Sequence, residues 1–300
     1  MKLLRLSLPE HPELASQCLD MLDEIAQEDG VEALSEHFVR GLKDASLHHT
    51  HLLAMREQGP VAIAAAEGEQ AEFAVAPAFR RRGIGSELLA TLAEDQIHDV
   101  WAHGNLPGAR RLAQREHYQP TRELLVMGIE GAALQAAAEV QLAEGLELSS
   151  LANTKLQAAE QEWLRVNNEA FDWHPEQGGW DADRLAKAMD QDWFRADDVL
   201  FLEQDGRLAG FHWLKRHGDL RQGADGEVYV VGLGRDFRGR GLGDPLVRLG
   251  LRRLYQEGAK RVILYVESDN RPAVQAYERL GFFTLERHVV YSDSASKSRE

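Results

Sequence analysis

The chain has 300 residues, 44% of them hydrophobic and 28% charged, with a formal net charge of −15. That length favours two domains of ordinary size, and the acidic balance argues against binding to a nucleic-acid backbone, which needs a basic face. One cysteine, Cys18, leaves no intramolecular disulfide and no multi-cysteine metal site. A cytoplasmic setting is expected. No apolar run is long enough to cross a bilayer, and the first eight residues, broken by Lys2, Arg5 and Ser7, are too short for a secretory core.

In chain order, residues 3–8 predict a strand, and Leu19, Leu22 and Ile25 at helical spacing predict a helix. A strand ending at Val75 leads through Pro77 into Arg80, Arg81, Arg82, Gly83, Ile84 and Gly85, with an apolar-periodic helix over residues 88–93. Residues 100–102 read as a strand leading to Asn105 and a short helix. The Ala- and Glu-rich residues 131–144 favour helix and are expected to form a linker, setting a domain boundary near residue 145. The order then repeats. A strand at 146–148 and a helix through Leu156, Trp163 and Val166 precede a β-rich strand at 227–233. Next come the turn Arg238, Gly239, Arg240, Gly241, Leu242, Gly243, a helix through Val247, Leu251 and Leu254, and a strand at 261–266 before Asn270. The polar residues 292–300 predict a disordered tail.

Both copies place Arg-x-x-Gly-x-Gly between a strand and a helix. Such a turn presents free backbone N–H groups at a helix N-terminus, where the dipole favours an anion. Its glycines supply positive φ and let a phosphate approach the backbone. Downstream, Ala273 and Tyr277 share a helix face, so a small residue leaves room for a ligand beside a phenol.

These features resemble the GNAT acetyltransferases. The resemblance implies an α/β fold (an α+β mixed sheet) in two tandem GNAT domains, residues 1–145 and 146–300, with acetyl-CoA as acyl donor. It implies that the pantetheine arm lies along Val231, Gly232 and Leu233. The pyrophosphate would sit on Arg238, Gly239, Arg240, Gly241, Leu242, Gly243 and Asp244, and the adjoining wall would be Asn270, Arg271, Pro272, Ala273, Val274 and Gln275. In the first half the matching positions are Phe73, Ala74 and Val75, then Arg81, Arg82, Gly83, Ile84, Gly85 and Ser86.

Longer stretches, residues 166–180, 210–215, 226–233 and 264–270, with residues 29–31, Glu36, the turn at 81–86 and residues 101–104 in the first half, resemble the mycothiol synthase family. That resemblance implies acetylation of the cysteinyl amine of cysteinyl-glucosaminyl-inositol, giving mycothiol in the last step of its synthesis. It implies substrate contacts at Glu36, Glu176, Lys215, Glu227 and Tyr265, with Glu227 as general base through a water and Tyr277 near the CoA sulfur. A polyhydroxylated amine suits such carboxylates, a lysine and aromatic walls. The first domain is implied to bind CoA without catalysing transfer.

Chemistry sharpens these roles. A cysteinyl amine with a pKa of about 8 is mostly ammonium near neutrality and must lose a proton before attack. Transfer from a phenol at about 10 to a thiolate at about 8.5 is uphill by roughly 2 kcal/mol, so Tyr277 is expected to stabilise thiolate by a hydrogen bond or to have a lowered pKa. A gapless match of the two turns sets Glu69 opposite Glu227, and matching Asn105 to Asn270 sets Leu112 opposite Tyr277. Trp173, Trp180 and Trp213 read as core or interface aromatics, and Cys18 as a buried small hydrophobe. His103, His174 and His212 lack short ligand spacing, and no metal site is expected. A monomer without nucleic-acid or membrane partners is expected. Two other readings share the fold: a GNAT enzyme for another small amine, and a non-catalytic acyl-CoA sensor.

Overall fold

The computed structural model describes residues 2–172 and 177–293 and divides into two compact units, Met1–Leu124 with Glu286–Glu300, and Leu125–Leu285. Unit 1 begins with β1 (Lys2–Leu6), α1 (Pro12–Asp29) and α2 (Glu36–Gly41). The hairpin strands β2 (Thr50–Arg56), β3 (Gly59–Glu67) and β4 (Gln70–Val75) follow. Then come α3 (Ile84–Glu94), β5 (Asp99–Ala102), α4 (Pro107–Arg115) and β6 (Tyr118–Glu130). Unit 2 takes the end of β6 and continues with α5 (Gly131–Ala138), β7 (Leu146–Ser150), α6 (Ala159–Ala170) and α7 (Ala182–Met189). It is completed by β8 (Val199–Gln204), β9 (Arg207–Arg216), β10 (Gly226–Leu233), α8 (Gly243–Gln256), β11 (Arg261–Glu267), α9 (Arg271–Leu280) and the start of β12 (Phe283–Asp293).

The same plan appears twice. Strand order is β1-β2-β3-β4-β5-β12 in unit 1 and β6-β11-β10-β9-β8-β7 in unit 2. In each, one parallel pair, β4 with β5 and β10 with β11, interrupts antiparallel pairing. The last strand of the chain therefore completes the first unit, with Val289 opposite Ala102 and Tyr291 opposite Val100. A boundary near residue 145 does not match this division. The reason is burial: Leu125, Met127 and Ile129 of β6, with Leu134 and Ala137 of α5, belong to the core of unit 2, and Arg248 of α8 donates to the Ala137 carbonyl at 3.4 Å. The alanines mark a helix that packs closely, and the expected linker is part of a domain. At the tail, Ser292 and Asp293 are strand residues of β12; residues 294–300 lie outside the described residues.

Both faces of each sheet are covered, so central strands are apolar throughout. Along β3, Ile63 and Ala65 pack toward Cys18, Leu22 and Ile25 of α1, while Ala62, Ala64 and Ala66 pack toward Leu88 and Leu92 of α3. This is the period-2 alternation of a strand. Each fully buried leucine or isoleucine contributes about 1.5–3 kcal/mol. Helix α1 starts at Pro12 and stops at Gly30, whose φ of 70° ends it in the left-handed conformation. In unit 2 the large aromatics Trp163, Phe201, Phe211 and Trp213 fill the face under α6, as expected for Trp213. Trp180 packs against the same cluster.

Candidate active site

Unit 2 gathers the expected residues around one irregularity in its sheet. Strands β9 and β10 pair with Glu227 opposite Lys215, but the register shifts between Val228 and Val230, a bulge that leaves Tyr229 39% exposed. On its other side β10 pairs with β11 only from Gly226 to Val228, although the strands run on to Leu233 and Glu267. The strands part there. Val231, Gly232 and Leu233 line a cleft of about 410 Å³, closed by Gly243 and Asp244 of α8 and by Ala273 and Tyr277 of α9.

The turn at the mouth of the cleft is built by backbone geometry. Gly239 and Gly241 have φ of 73° and 75°, which glycine adopts without strain, and no side chain caps α8. A Cβ on Gly243 would meet nothing within 4 Å, so the space beside it is open. Arg238 has a structural task in the turn. Its Nε donates to the Leu233 carbonyl at 3.4 Å and its guanidinium also donates to the Glu169 carbonyl, fastening the turn to the strand end. Arg240 stands over the Phe237 ring at 5.2 Å.

Of the expected wall, Ala273 lines the cleft. Asn270 caps α9 by accepting from the Ala273 N–H at 3.3 Å, Val274 is buried in the core, and Arg271, Pro272 and Gln275 are exposed. Tyr277 packs its ring edge-on to Phe282 at 5.6 Å, and burial pushes its phenol up to about 12. This removes one of the two expected roles. A phenol at that value loses its proton to an ordinary thiolate only at a cost of roughly 5 kcal/mol, which is the opposite of a pre-acidified phenol.

Farther along β10, Glu227 is 4% exposed, and its Oε2 lies 2.7 Å from Nε2 of His217. The sequence reading missed His217. Its N–H donates to the Asp225 carbonyl across the hairpin, which makes Glu227 a diagonal neighbour; only the hairpin register carries that signal. Lys215 is 9% exposed, with Nζ 5.0 Å from the Trp193 ring centroid and 6.0 Å from that of Tyr229, so it is a buried cation on an aromatic floor. Tyr265 is 49% exposed. Glu176, Trp173 and His174 lie outside the described residues. The segment after them is clamped from α6. Asn167 and Gln177 exchange hydrogen bonds of 2.9 Å, and Asn168 does the same with the backbone of Trp180 at 2.7 and 2.9 Å.

Unit 1 repeats the turn but not its surroundings. Arg81 and Gly83 have φ of 62° and 83°, matching Gly239 and Gly241. Arg80 fastens the turn to the Val75 carbonyl at 2.9 Å and to Asp29 at 2.7 and 2.6 Å. Ser86 accepts from Arg115, and Arg82 covers the Phe79 ring at 5.3 Å. Ile84 is buried at the start of α3, and Ala74 is buried in β4. Beside Gly85, however, a Cβ would stand 2.9 Å from Leu112 and 3.7 Å from Phe73, so apolar side chains fill the place that is open beside Gly243. Glu69 does not hold the place of Glu227. Strands β3 and β4 pair without a bulge, with Ala71 opposite Ala66 and Gln70 opposite Glu67, whereas Val228 faces Leu214 and Glu227 faces Lys215. Anchored on Val75 with Ala62 and Leu233 with Gly210, Gln70 is the counterpart of Glu227. Glu36 is the exposed first residue of α2.

The remaining expectations resolve simply. His212 is fully buried against Gly250, with Nδ1 3.1 Å from the Leu246 carbonyl, and burial lowers its pKa to about 4. His103 lies in unit 1 between Glu72 at 3.1 Å and His288 at 2.7 Å. Cys18 is buried and pushed up to about 12, an inert thiol. No helix among the described residues is long and apolar enough to cross a membrane. A second depression, about 650 Å³, is lined by Lys155, Glu162, Arg165 and Arg207. It is larger, but its two arginines already pair, Arg165 with Glu162 and Glu169 and Arg207 with Asp236.

Known proteins are similar to this chain in sequence and in fold. The acetyltransferase (GNAT) family model matches residues 163–282, and an acetyltransferase (GNAT) domain model matches residues 48–120. The chain is 53% identical to the mycothiol acetyltransferase of Corynebacterium efficiens, covering 95% of this chain and 94% of the relative. It is 51% identical to that of Corynebacterium diphtheriae, covering 92% and 94%. Two solved structures share the fold: a GCN5-related N-acetyltransferase from Sphaerobacter thermophilus (TM-score 0.71, 21% identity, 96% and 94% covered), and a tandem GNAT protein from the clavulanic acid biosynthesis pathway (TM-score 0.69, 17% identity, 97% of each chain). With a splayed strand, an anion turn and a buried carboxylate in one unit and a relative this similar over nearly its whole length, the chain belongs to the mycothiol acetyltransferase family of tandem GNAT acetyltransferases.

Proposed function

We propose that this chain transfers the acetyl group of acetyl-CoA to the cysteinyl amine of cysteinyl-glucosaminyl-inositol, giving mycothiol and CoA, and that unit 2 performs the chemistry. The observation that carries this reading is the pairing of Glu227, buried and hydrogen-bonded to His217, with a splayed cleft on the same strand that Tyr277 lines. Glu227 takes the proton of the acceptor ammonium through a water, and His217, one-third exposed, links the carboxylate to solvent. The freed amine attacks the thioester carbonyl. Backbone N–H groups of the parted segment Val231, Gly232 and Leu233 face the developing oxyanion, and the Tyr277 hydroxyl donates to the sulfur as the thiolate leaves. Free N–H groups at the start of α8 hold the pyrophosphate. Lys215 and Tyr265 are the proposed acceptor contacts in unit 2.

Unit 1 keeps the anion turn yet has Leu112 and Phe73 beside Gly85 and Gln70 in place of the base. We assign it a non-catalytic role in holding acetyl-CoA. The test is mass-spectrometric detection of product from acetyl-CoA and a panel of amines, with Glu227→Gln and Tyr277→Phe alongside. Acetylation of the cysteinyl acceptor, reduced in both variants, is expected. Acetylation of other amines only would redirect the substrate, and acetyl-CoA binding without any product would make the protein a sensor.

A further inference from the structure

Three side chains of unit 1 converge on one point that the acetyl-transfer chemistry does not use. His37 is the second residue of α2, His49 immediately precedes β2, and Glu67 ends β3. The hairpin pairs Thr50 with Ala66, which brings His49 and Glu67 to its open end. Nε2 of His37 lies 2.7 Å from Oε2 of Glu67 and 3.1 Å from Nε2 of His49, and the His49 and Glu67 atoms are 3.8 Å apart. We propose that His37, His49 and Glu67 form a binding site for a divalent transition metal of the zinc class.

The distances suit such an ion. Ligands at about 2.0–2.1 Å from a tetrahedral centre stand about 3.3 Å from one another, and the three separations bracket that edge. Three lone-pair-bearing atoms aimed at one point require either a shared proton or a cation between them. Two imidazoles and a carboxylate are ligands of zinc, cobalt and nickel more than of calcium or magnesium, which prefer all-oxygen shells. The site is also built. A Cβ on Gly41 would overlap the His49 ring, so glycine lets α2 close over that imidazole, and the rings of Phe38 and His37 hold it at 4.9 and 4.7 Å. The His49 side chain is fully buried, while those of His37 and Glu67 are 45% and 52% exposed. A fixed inner ligand with two outer ones leaves a coordination position open to water.

Facing charges set the strength. Glu72 and Arg40 both act on His49, the first favouring a cation and the second opposing it, although Arg40 is also 3.9 Å from Asp44. Nδ1 of His49 has no acceptor among the described residues, and lack of such an outer partner weakens metal affinity by about 10–100-fold. Binding weaker than the tight hold of a closed structural zinc site follows.

The test uses the full chain without a polyhistidine tag, freed of metal and titrated with cobalt(II) and then zinc(II). One equivalent of cobalt, visible d–d absorbance of a low-coordinate site and displacement by zinc are expected. His37→Ala and Glu67→Gln, both at exposed positions, are each expected to weaken zinc binding about tenfold or more while circular dichroism stays unchanged and the metal-free protein still melts cooperatively. His103→Ala, in the neighbouring histidine cluster, is expected to leave binding intact. Absence of saturable binding at micromolar concentrations, or binding that survives both His37→Ala and Glu67→Gln, would overturn the proposal.

Discussion

The two glycine turns have nearly the same backbone but stand in different company. In unit 2 a bulge at Tyr229 turns β10, Glu227 precedes it, and the space beside Gly243 is open. In unit 1 β4 pairs evenly with β3, Gln70 stands at the position of the proposed base, and Leu112 fills the space beside Gly85. A phosphate cradle is thus a local motif that a short sequence can preserve. A transfer site needs three further things: a splayed strand, a buried base and room for a thioester.

The largest effect that would break this comparison is loss of the base. We expect Glu227→Gln to lower kcat/KM by about 10²–10⁴-fold, and Gln70→Glu in unit 1 to leave the rate unchanged and not to restore a Glu227→Gln enzyme. A rate that survives Glu227→Gln would move the chemistry out of unit 2. Next, Tyr277→Phe removes a hydrogen bond to developing thiolate worth about 1.5–3 kcal/mol, hence kcat lower by about 10–100-fold, with acetyl-CoA affinity held within a few-fold. Because burial raises Tyr277 to about 12, its phenol is neutral and able to donate at every pH below that value. An alkaline limb in the rate profile between pH 8 and pH 10 would accordingly persist in Tyr277→Phe, which a pH series on both enzymes checks.

Smaller effects sharpen the contrast between the cradles. Gly243→Ala meets no protein atom, so thermal stability should hold or rise by up to about 1 kcal/mol while acetyl-CoA binding by calorimetry weakens. Gly85→Ala crowds Leu112 and should instead lower stability by about 1–3 kcal/mol, with turnover retained. Least of all, Asp29→Ala frees Arg80 from its fastening and should cost about 1 kcal/mol in a denaturant melt.

Much of this was legible in the sequence because it is local. The strand, turn and helix order, the glycines at positive φ, the i, i+4 pair Ala273 and Tyr277, and the burial of Trp213 and Cys18 follow from spacing and residue chemistry. The family resemblance added Glu227 and Lys215, and the structure shows both buried and opposite each other. Other features depend on pairing across the chain. A gapless match chose Glu69 because a bulge adds one residue to one strand only, and nothing in the local sequence marks Tyr229 as that residue. His217 becomes a neighbour of Glu227 only through the hairpin register.

The sequence by itself determined that there are two units of one plan, where each turn lies, and which unit has lost the phenol, since each is a matter of residues near one another in the chain. Only the tertiary structure decided that β12 completes unit 1 and that α5 belongs to unit 2. It alone set the acidity of Tyr277 and brought His37, His49 and Glu67 to one point. Strand partners and burial arise from contacts between residues far apart in the chain, whose identity local patterning does not encode.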